Sequence, residues 1–296
     1  MPRSGIRMTT GERFFNVFNI LFLSFMVVIT LYPLLYVLFA AFSVPSRLMT
    51  KYGILLGPQG FSLVSFIAVF QNPNIWSGYG NTIIIVIGGT ALNMLMTIMG
   101  GYVLSRKNWF LTRPIALGVV FTMYFGGGLI PFYLTVRGLH LDNTLLALII
   151  PTAISTYNMM IMRTAMVTIP PSLEESAMLD GAGHLTILFK IITPLIFPTL
   201  AVLVLYYGVE HWNSWFNAMI FLRKRALFPL QLILREILIQ NSTLDMSIGS
   251  AATDQEMLSE TIKYSVIIVS TVPILCLYPF LQRYFVKGVM VGAVKG

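Results

Sequence analysis

From Phe14 to Phe42 the chain carries no Asp, Glu, Lys, Arg or His. A helix of that length crosses the roughly 30 Å hydrocarbon core of a bilayer, with tilt or an interfacial overhang to spare. Further apolar runs lie at about 81–104, 114–136, 144–168, 194–222 and 262–285. Charged residues make up 10% of the chain, against about 25% in a soluble domain, and the mean hydropathy is +0.81. A soluble fold would have to bury several runs of about 20 apolar residues in one core, which their length disfavours. The expected class is an all-α integral membrane protein with six transmembrane helices in a single domain, 1–296. The first run exceeds a signal-peptide core and no small-residue cleavage site follows it, so it is expected to stay uncleaved.

The connecting segments set the topology. Arg3, Arg7 and Arg13 precede the first run, and Arg106, Lys107 and Arg113 mark a turn after the second. Residues 43 to about 78, rich in Ser, Pro, Gly and Asn, read as an external loop with a short interfacial helix near Leu63 to Phe70. The third run is interrupted by Gly126-Gly127-Gly128 and Pro131. Such a break is tolerated only where protein or a water-filled cavity satisfies the freed backbone groups, so it is expected against a pathway rather than lipid. Six spans put both termini and the segment 170–193 on one side. That side holds the larger share of Lys and Arg, which makes it cytoplasmic. The net charge of +8, from 19 basic and 11 acidic residues, fits anionic lipid headgroups and requires no nucleic acid. A lone cysteine, Cys276, excludes a disulfide framework.

The segment 170–193 is polar and set between two apolar runs. Pro170 and Pro171 stop the preceding helix, and Ser172 followed by Glu175 has the spacing of a capping box. Glu174 and Glu175 also fall where the helix dipole favours negative charge. Gly181 is suited to the left-handed conformation that ends a helix. A second short helix is expected to present Leu185, Leu188, Phe189 and Ile192 on one face before Pro194. Helices this short are marginal alone and must dock. Physics leaves two readings open: an elbow on its own chain, or a segment seated on a partner.

Glu175-Ser176-Ala177, Asp180-Gly181-Ala182, Phe189, Ile192, Pro194 and Pro198 resemble the EAA loop of bacterial binding-protein-dependent ABC importers. Ser176 replaces the usual first alanine and Thr193 the leucine before proline. The resemblance implies a type I ABC importer permease fold whose cytoplasmic coupling helices sit in a groove of a separate ATPase. Glu174, Glu175, Ser176, Ala177, Asp180, Gly181, Ala182 and Phe189 would carry that contact. Asn81, the pattern from Gly138 to Thr144, the run His211 to Trp215 and the Gly-Ala-Val-Lys-Gly tail are similar to carbohydrate-importer permeases, the second permease subunit of the maltose importer among them. The stretch Tyr284 to Val289 resembles the branch that handles oligosaccharides and polysaccharide fragments, alginate importers included. The implied partners are a second permease subunit in a heterodimer, two ATPase subunits that bind ATP and Mg, and an extracytoplasmic substrate-binding protein met by residues near Arg235 to Glu260. The implied location is the bacterial cytoplasmic (inner) membrane, with both termini cytoplasmic and no cofactor on this chain.

No G-x-x-x-x-G-K-[ST] phosphate loop and no H-E-x-x-H occur, so the chain is not expected to be an enzyme by itself. The polar cluster at apparent membrane depth is Glu210, His211, Asn213, Trp215 and Asn217. A carboxylate there costs about 2.5–3.5 kcal/mol, so it should face a cavity or a partner. Helical spacing would place Glu210, Asn213 and Asn217 together. Aromatic faces beside hydrogen-bonding groups suit a sugar in a pathway, and a polar seam between helices accounts for the same residues. Two other functions remain open on the sequence: a nucleotide-independent secondary transporter or channel, and an ABC permease for amino acids or peptides.

Overall fold

The computed structural model describes residues 9–51, 53–106, 110–247 and 254–293, and every regular element among them is helical. Lys107, residues 248–253 of the expected binding-protein loop and the end of the Gly-Ala-Val-Lys-Gly tail lie outside the described residues. In order come α1 (Thr10–Ala41), α2 (Pro45–Thr50), α3 (Val64–Gln71), α4 (Pro73–Ser105), α5 (Thr112–Tyr124), α6 (Leu129–Gly138), α7 (Leu146–Ile149) and α8 (Thr156–Val167). Then follow α9 (Pro171–Leu179), α10 (His184–Thr186), a π-helical turn (Ile187–Ile192), α11 (Thr193–Leu195), α12 (Phe197–Trp212), α13 (Phe216–Phe221), α14 (Leu230–Ser247) and α15 (Asp254–Ala293). They form two units, Met1–Gln71 with Leu238–Val269 and Asn72–Ile237 with Ser270–Gly296.

α1, α4 and Leu258–Cys276 of α15 are each long and apolar enough to cross a membrane unbroken. Two further pairs are bent: α5 with α6 by 114°, and His184–Leu195 with α12 by 89°. The first bend falls at the glycine triplet. The second falls at Ile196, between Pro194 and Pro198, neither of which has an N–H to continue a helix. The stretch expected at 144–168 is also two helices, α7 and α8, separated by residues that include Pro151. α4 begins earlier than its apolar run suggested. Asn72 caps it, its side chain accepting from the Asn74 amide at 3.0 Å, with Pro73 in the first turn.

In the first unit, a capping box does occur, at Thr9 and Glu12 rather than at Ser172 and Glu175: each side chain accepts from the other residue's amide. Of α1 only Ala40 and Ala41 are buried, and its long apolar face is left for lipid or another subunit. The C-terminal end of α1 is tied to the following loop. Tyr32 Oη accepts from the Leu55 amide and Ser43 Oγ from the Gln59 amide. Ala40, Leu48 and Leu55 pack with Tyr36 and Tyr264, and the Ser65 and Thr261 hydroxyls meet at 2.7 Å.

In the second unit, α4 packs against α8 and α12. The core consists of Met94, Ile98 and Tyr102 of α4, Met162 and Met166 of α8, Ala177 of α9, Ile187, Leu188 and Ile192 of the π-turn, and Leu200, Leu203 and Tyr207 of α12. Near its N-terminal end α4 also fixes a loop. Asn81 Nδ2 donates to the carbonyls of Ala226 (2.8 Å) and Phe228 (3.1 Å), and Thr82 Oγ1 accepts from the Leu230 amide. Asn143 pins the same loop from the other side, accepting from the amides of Arg223 (3.1 Å) and Lys224 (3.0 Å). Its φ of 57° is left-handed, a conformation that asparagine tolerates better than most residues. Asn143→Gly keeps the backbone but removes both bonds, and Asn143→Ala also adds strain. Both variants should be cut by trypsin at Arg223, Lys224 or Arg225 several-fold faster than the native chain, Asn143→Ala fastest, as followed by gel in detergent.

Candidate coupling segment and polar belt

The turn between α9 and α10 is closed by backbone bonds. Gly181, at φ 83°, donates its N–H to Met178 O (3.0 Å), and Ala182 donates to Ala177 O (2.9 Å). This is the paired pattern of a Schellman cap, and it fixes the direction in which the chain leaves α9. The start of α9 differs from expectation. Pro170 is the cap residue and makes no side-chain bond, so Ser172 and Glu175 do not form a box; Pro171 in the first turn needs no N–H partner.

Glu174, not Glu175, carries the structural bond. It is buried, accepts from Tyr102 Oη at 2.6 Å and forms an ion pair with Arg106. The Arg106 guanidinium also lies over the Tyr102 ring, 4.7 Å from its centroid, and Tyr102 Oη is 3.4 Å from His184 Nδ1. Burial lowers the pKa of Arg106, opposed by Tyr102 beside it; starting from so high a value the guanidinium stays charged. One cluster thus joins the end of α4 to α9 and α10. A groove of about 820 Å³ opens beside it, lined by Met99, Val103, Arg106, Met166, Met178 and Leu185 among others.

The other residues expected to couple divide by face. Ala177 is buried and Ala182 half-buried, while Glu175, Ser176, Asp180, Gly181 and Phe189 are exposed. Leu185 and Phe189, expected on the docking face of the second helix, point outward; Ile187, Leu188 and Ile192 take the inner face because a π-turn shifts the helical register. Leu179, 89% exposed, and Leu185, 65% exposed, are apolar residues on the outer face that the motif did not single out. Tyr102 and Arg106 were equally missed, since nothing in their local sequence points to α9.

The polar cluster near the end of α12 does not share one helical face. α12 ends at Trp212, Asn213 is its cap with Nδ2 bonded back to Val209 O, and Asn217 belongs to α13. His211 is buried and donates from Nε2 to Asn93 Oδ1 at 2.6 Å, and Asn93 Nδ2 donates to Thr152 O. A Cβ on Gly89 would overlap the His211 ring, so glycine is required for this approach. One turn further along α4, Thr97 and Tyr207 share a hydrogen bond of 2.7 Å. His211 is therefore part of a seam between α4 and α12. Glu210 and Asn213 are exposed, and Trp215 and Asn217 are half-buried.

Residues 98–291 match the family model of the binding-protein-dependent transport system inner membrane component. The chain belongs to this family. It is 38% identical over 288 residues to the polygalacturonan/rhamnogalacturonan transport system permease protein YtcP of Bacillus subtilis, covering 96% of this chain and 99% of that one. It is 36% identical to the protein LplC of the same organism, with 97% of each chain covered. Among solved structures it superposes with a TM-score of 0.84 on a chain of a bacterial ABC transporter that imports the acidic polysaccharide alginate, at 28% identity, covering 94% of this chain and 99% of that one. The protein is thus a permease of an ABC importer with the type I permease fold, and a nucleotide-independent carrier is set aside.

The Arg106 and Glu174 side chains are 29% and 11% exposed, so the permease's ion pair lies between an exposed pair worth under about 1 kcal/mol and a buried one whose disruption costs about 3 kcal/mol or more. Arg106→Ala and Glu174→Ala should each lower stability by about 2 kcal/mol, seen as a fall in the thermal midpoint in detergent. The exchange Arg106→Glu with Glu174→Arg should recover part of that loss; single variants as stable as the native chain would show the pair to be dispensable.

Proposed function

We propose that this permease forms, with a second and different permease subunit, the pathway by which an oligosaccharide or polysaccharide fragment enters across the bacterial cytoplasmic membrane. An extracytoplasmic binding protein delivers the sugar, and two ATPase subunits, which hold the ATP and Mg, drive the cycle. The substrate class is supported by the relatives: polygalacturonan/rhamnogalacturonan for the Bacillus subtilis YtcP permease, and alginate for the importer of similar fold.

The coupling role is carried by one observation. The segment 170–193 has two finished faces: an inner one built into the permease core through Ala177, Ile187, Leu188 and Ile192, and an outer one presenting Glu175, Ser176, Asp180, Leu179, Leu185 and Phe189. Exposed leucines on a segment already docked on its own chain call for a second partner, and the ATPase supplies it. The Schellman cap at Gly181 keeps the two short helices at a fixed angle, so a push on the outer face moves the inner face. Transport then requires that ATP favour one arrangement of the permease pair over the other and that hydrolysis release it.

The pathway surface is drawn from the exposed and half-buried members of the polar cluster, Glu210, Asn213, Trp215 and Asn217, with His211 positioning the helix behind them. The bend between α5 and α6 also belongs to an interface. Residues 121–131 are all exposed on this chain, and unpaired backbone there needs water or the second permease.

Affinity purification of the tagged permease from its native membrane, with mass spectrometry of bound chains, tests this assembly. A phosphate-loop ATPase and a second permease should be recovered with the native chain. Gly181→Val, whose β-branched side chain is strained at a positive φ, should lower ATPase recovery at least several-fold and leave sugar binding by the isolated binding protein unchanged. Undiminished ATPase recovery and sugar-stimulated hydrolysis in that variant would remove the coupling role from this segment.

A further inference from the structure

At the end of α4 remote from the coupling segment, α14 lays Arg235 over the ring of Trp215, with the guanidinium carbon 3.3 Å from the ring centroid. At that distance the guanidinium carbon is in contact with the face of the indole. No acceptor bonds Arg235 among the described residues. The indole below it is held firmly, since Trp215 packs against Ile85, Leu148, Ala218 and Leu222. Ser214, the preceding residue, has a buried hydroxyl with no hydrogen-bond partner among the described residues.

The surroundings are basic. The loop held by Asn81 and Asn143 presents Arg223, Lys224 and Arg225, all exposed. Arg225 pairs with Glu236 at 3.2 Å, and no ion pair engages Arg223, Lys224 or Arg235 among the described residues. Even with Asp142 beside Asn143, cations outnumber carboxylates here. From Asn81 to Ser105, α4 rises about 36 Å, enough to cross the hydrocarbon core. This basic end therefore lies on the membrane face opposite the ATPase-coupling segment. Short loops on that face ordinarily hold few Lys and Arg, so cations retained there call for an anionic partner.

We propose that Arg235, stacked on Trp215, is a carboxylate-binding subsite and that the saccharide carried by this permease contains uronic acid residues. This rests on the reading of the chain as a saccharide importer. The planar fork of Arg235 matches a carboxylate with two parallel hydrogen bonds, and the indole holds the fork in place while adding a cation–π contact. Asn217, half-buried and two residues beyond the tryptophan, would serve a sugar hydroxyl. Arg223 and Lys224 raise the local concentration of the anion without ordering it. A neutral sugar would leave the guanidinium charge unmatched, so the site selects for charge before it selects for a particular sugar.

The complete importer, purified with both permeases and its ATPases and reconstituted in vesicles with its binding protein, tests this directly. Uptake is measured with pentagalacturonate and with a neutral arabinose pentasaccharide, for the native chain, Arg235→Gln and Arg235→Lys. The native importer should take up pentagalacturonate. Arg235→Gln should do so at least tenfold more slowly at saturating loaded binding protein, with the complex recovered intact, and Arg235→Lys should fall between them. Native rates in Arg235→Gln would overturn the subsite. So would a loss shared equally by Gln and Lys and accompanied by less intact complex, which marks a structural stack. A change confined to the concentration of binding protein needed for half-maximal uptake would assign Arg235 to that protein contact instead. Uptake of the neutral sugar alone would overturn the uronate inference and leave the saccharide importer standing, and uptake of neither would overturn the expectation of pentagalacturonate uptake on which the uronate inference is tested.

Discussion

Polar side chains within a bilayer have no water to fall back on, and α4 is built around that constraint. Five of its polar residues find partners on other elements: Asn81 and Thr82 on the loop leading into α14, Asn93 on α12 and on the backbone at Thr152, Thr97 on α12, and Tyr102 on α9. Apolar contacts between helices gain little from the hydrophobic effect when lipid is the alternative, so the hydrogen bonds and the close packing select the arrangement. Gly89 belongs to the same logic. By admitting the His211 ring it lets Asn93 and His211 meet, a bond that any side chain at 89 would push apart.

This dependence explains which features were legible in the sequence. The apolar runs announced membrane helices because composition alone decides that, and Gly181 announced a helix end because its local geometry does. The Ser172 and Glu175 spacing suggested a box that α9 does not form. With Pro171 in the first turn and Glu174 drawn onto Tyr102 and Arg106, a tertiary ion pair determines where the acidic residues point. The second short helix departs from its expected face for a related reason. Its apolar residues fit one face at the α-helical period, but residues 187–192 are π-helical, and Leu185 and Phe189 turn outward. Thr193, a departure from the family pattern, directly follows that turn and donates its hydroxyl back to Leu188 O at 2.7 Å, so the substitution serves the local geometry. Asn81 and Asn143, which resemblance alone had marked, have a plain physical role, since both hold the basic loop to the bundle. Their partners lie far away in sequence, and no spacing rule could have supplied them.

The same bonds bear on how such a chain can move. α4, α8, α9 and α12 share one core, with Met162, Ile187 and Leu203 fully buried in it, and closely packed interiors of this kind shift between discrete arrangements rather than deform continuously. An internal rearrangement would have to break Asn93–His211 and Thr97–Tyr207 in buried surroundings that offer no replacement partners, and the Glu174 cluster as well. Rigid movement of the bundle breaks none of them. The energy that distinguishes one transport state from another must then reside on the surfaces the bundle leaves uncovered: the outer face of the coupling segment, the exposed bend between α5 and α6, and the exposed polar residues beyond Trp212. Those are the surfaces proposed for the ATPase, the second permease and the sugar. In that scheme each partner acts on the permease from outside, and α4 with its hydrogen bonds keeps the three surfaces in register while they move.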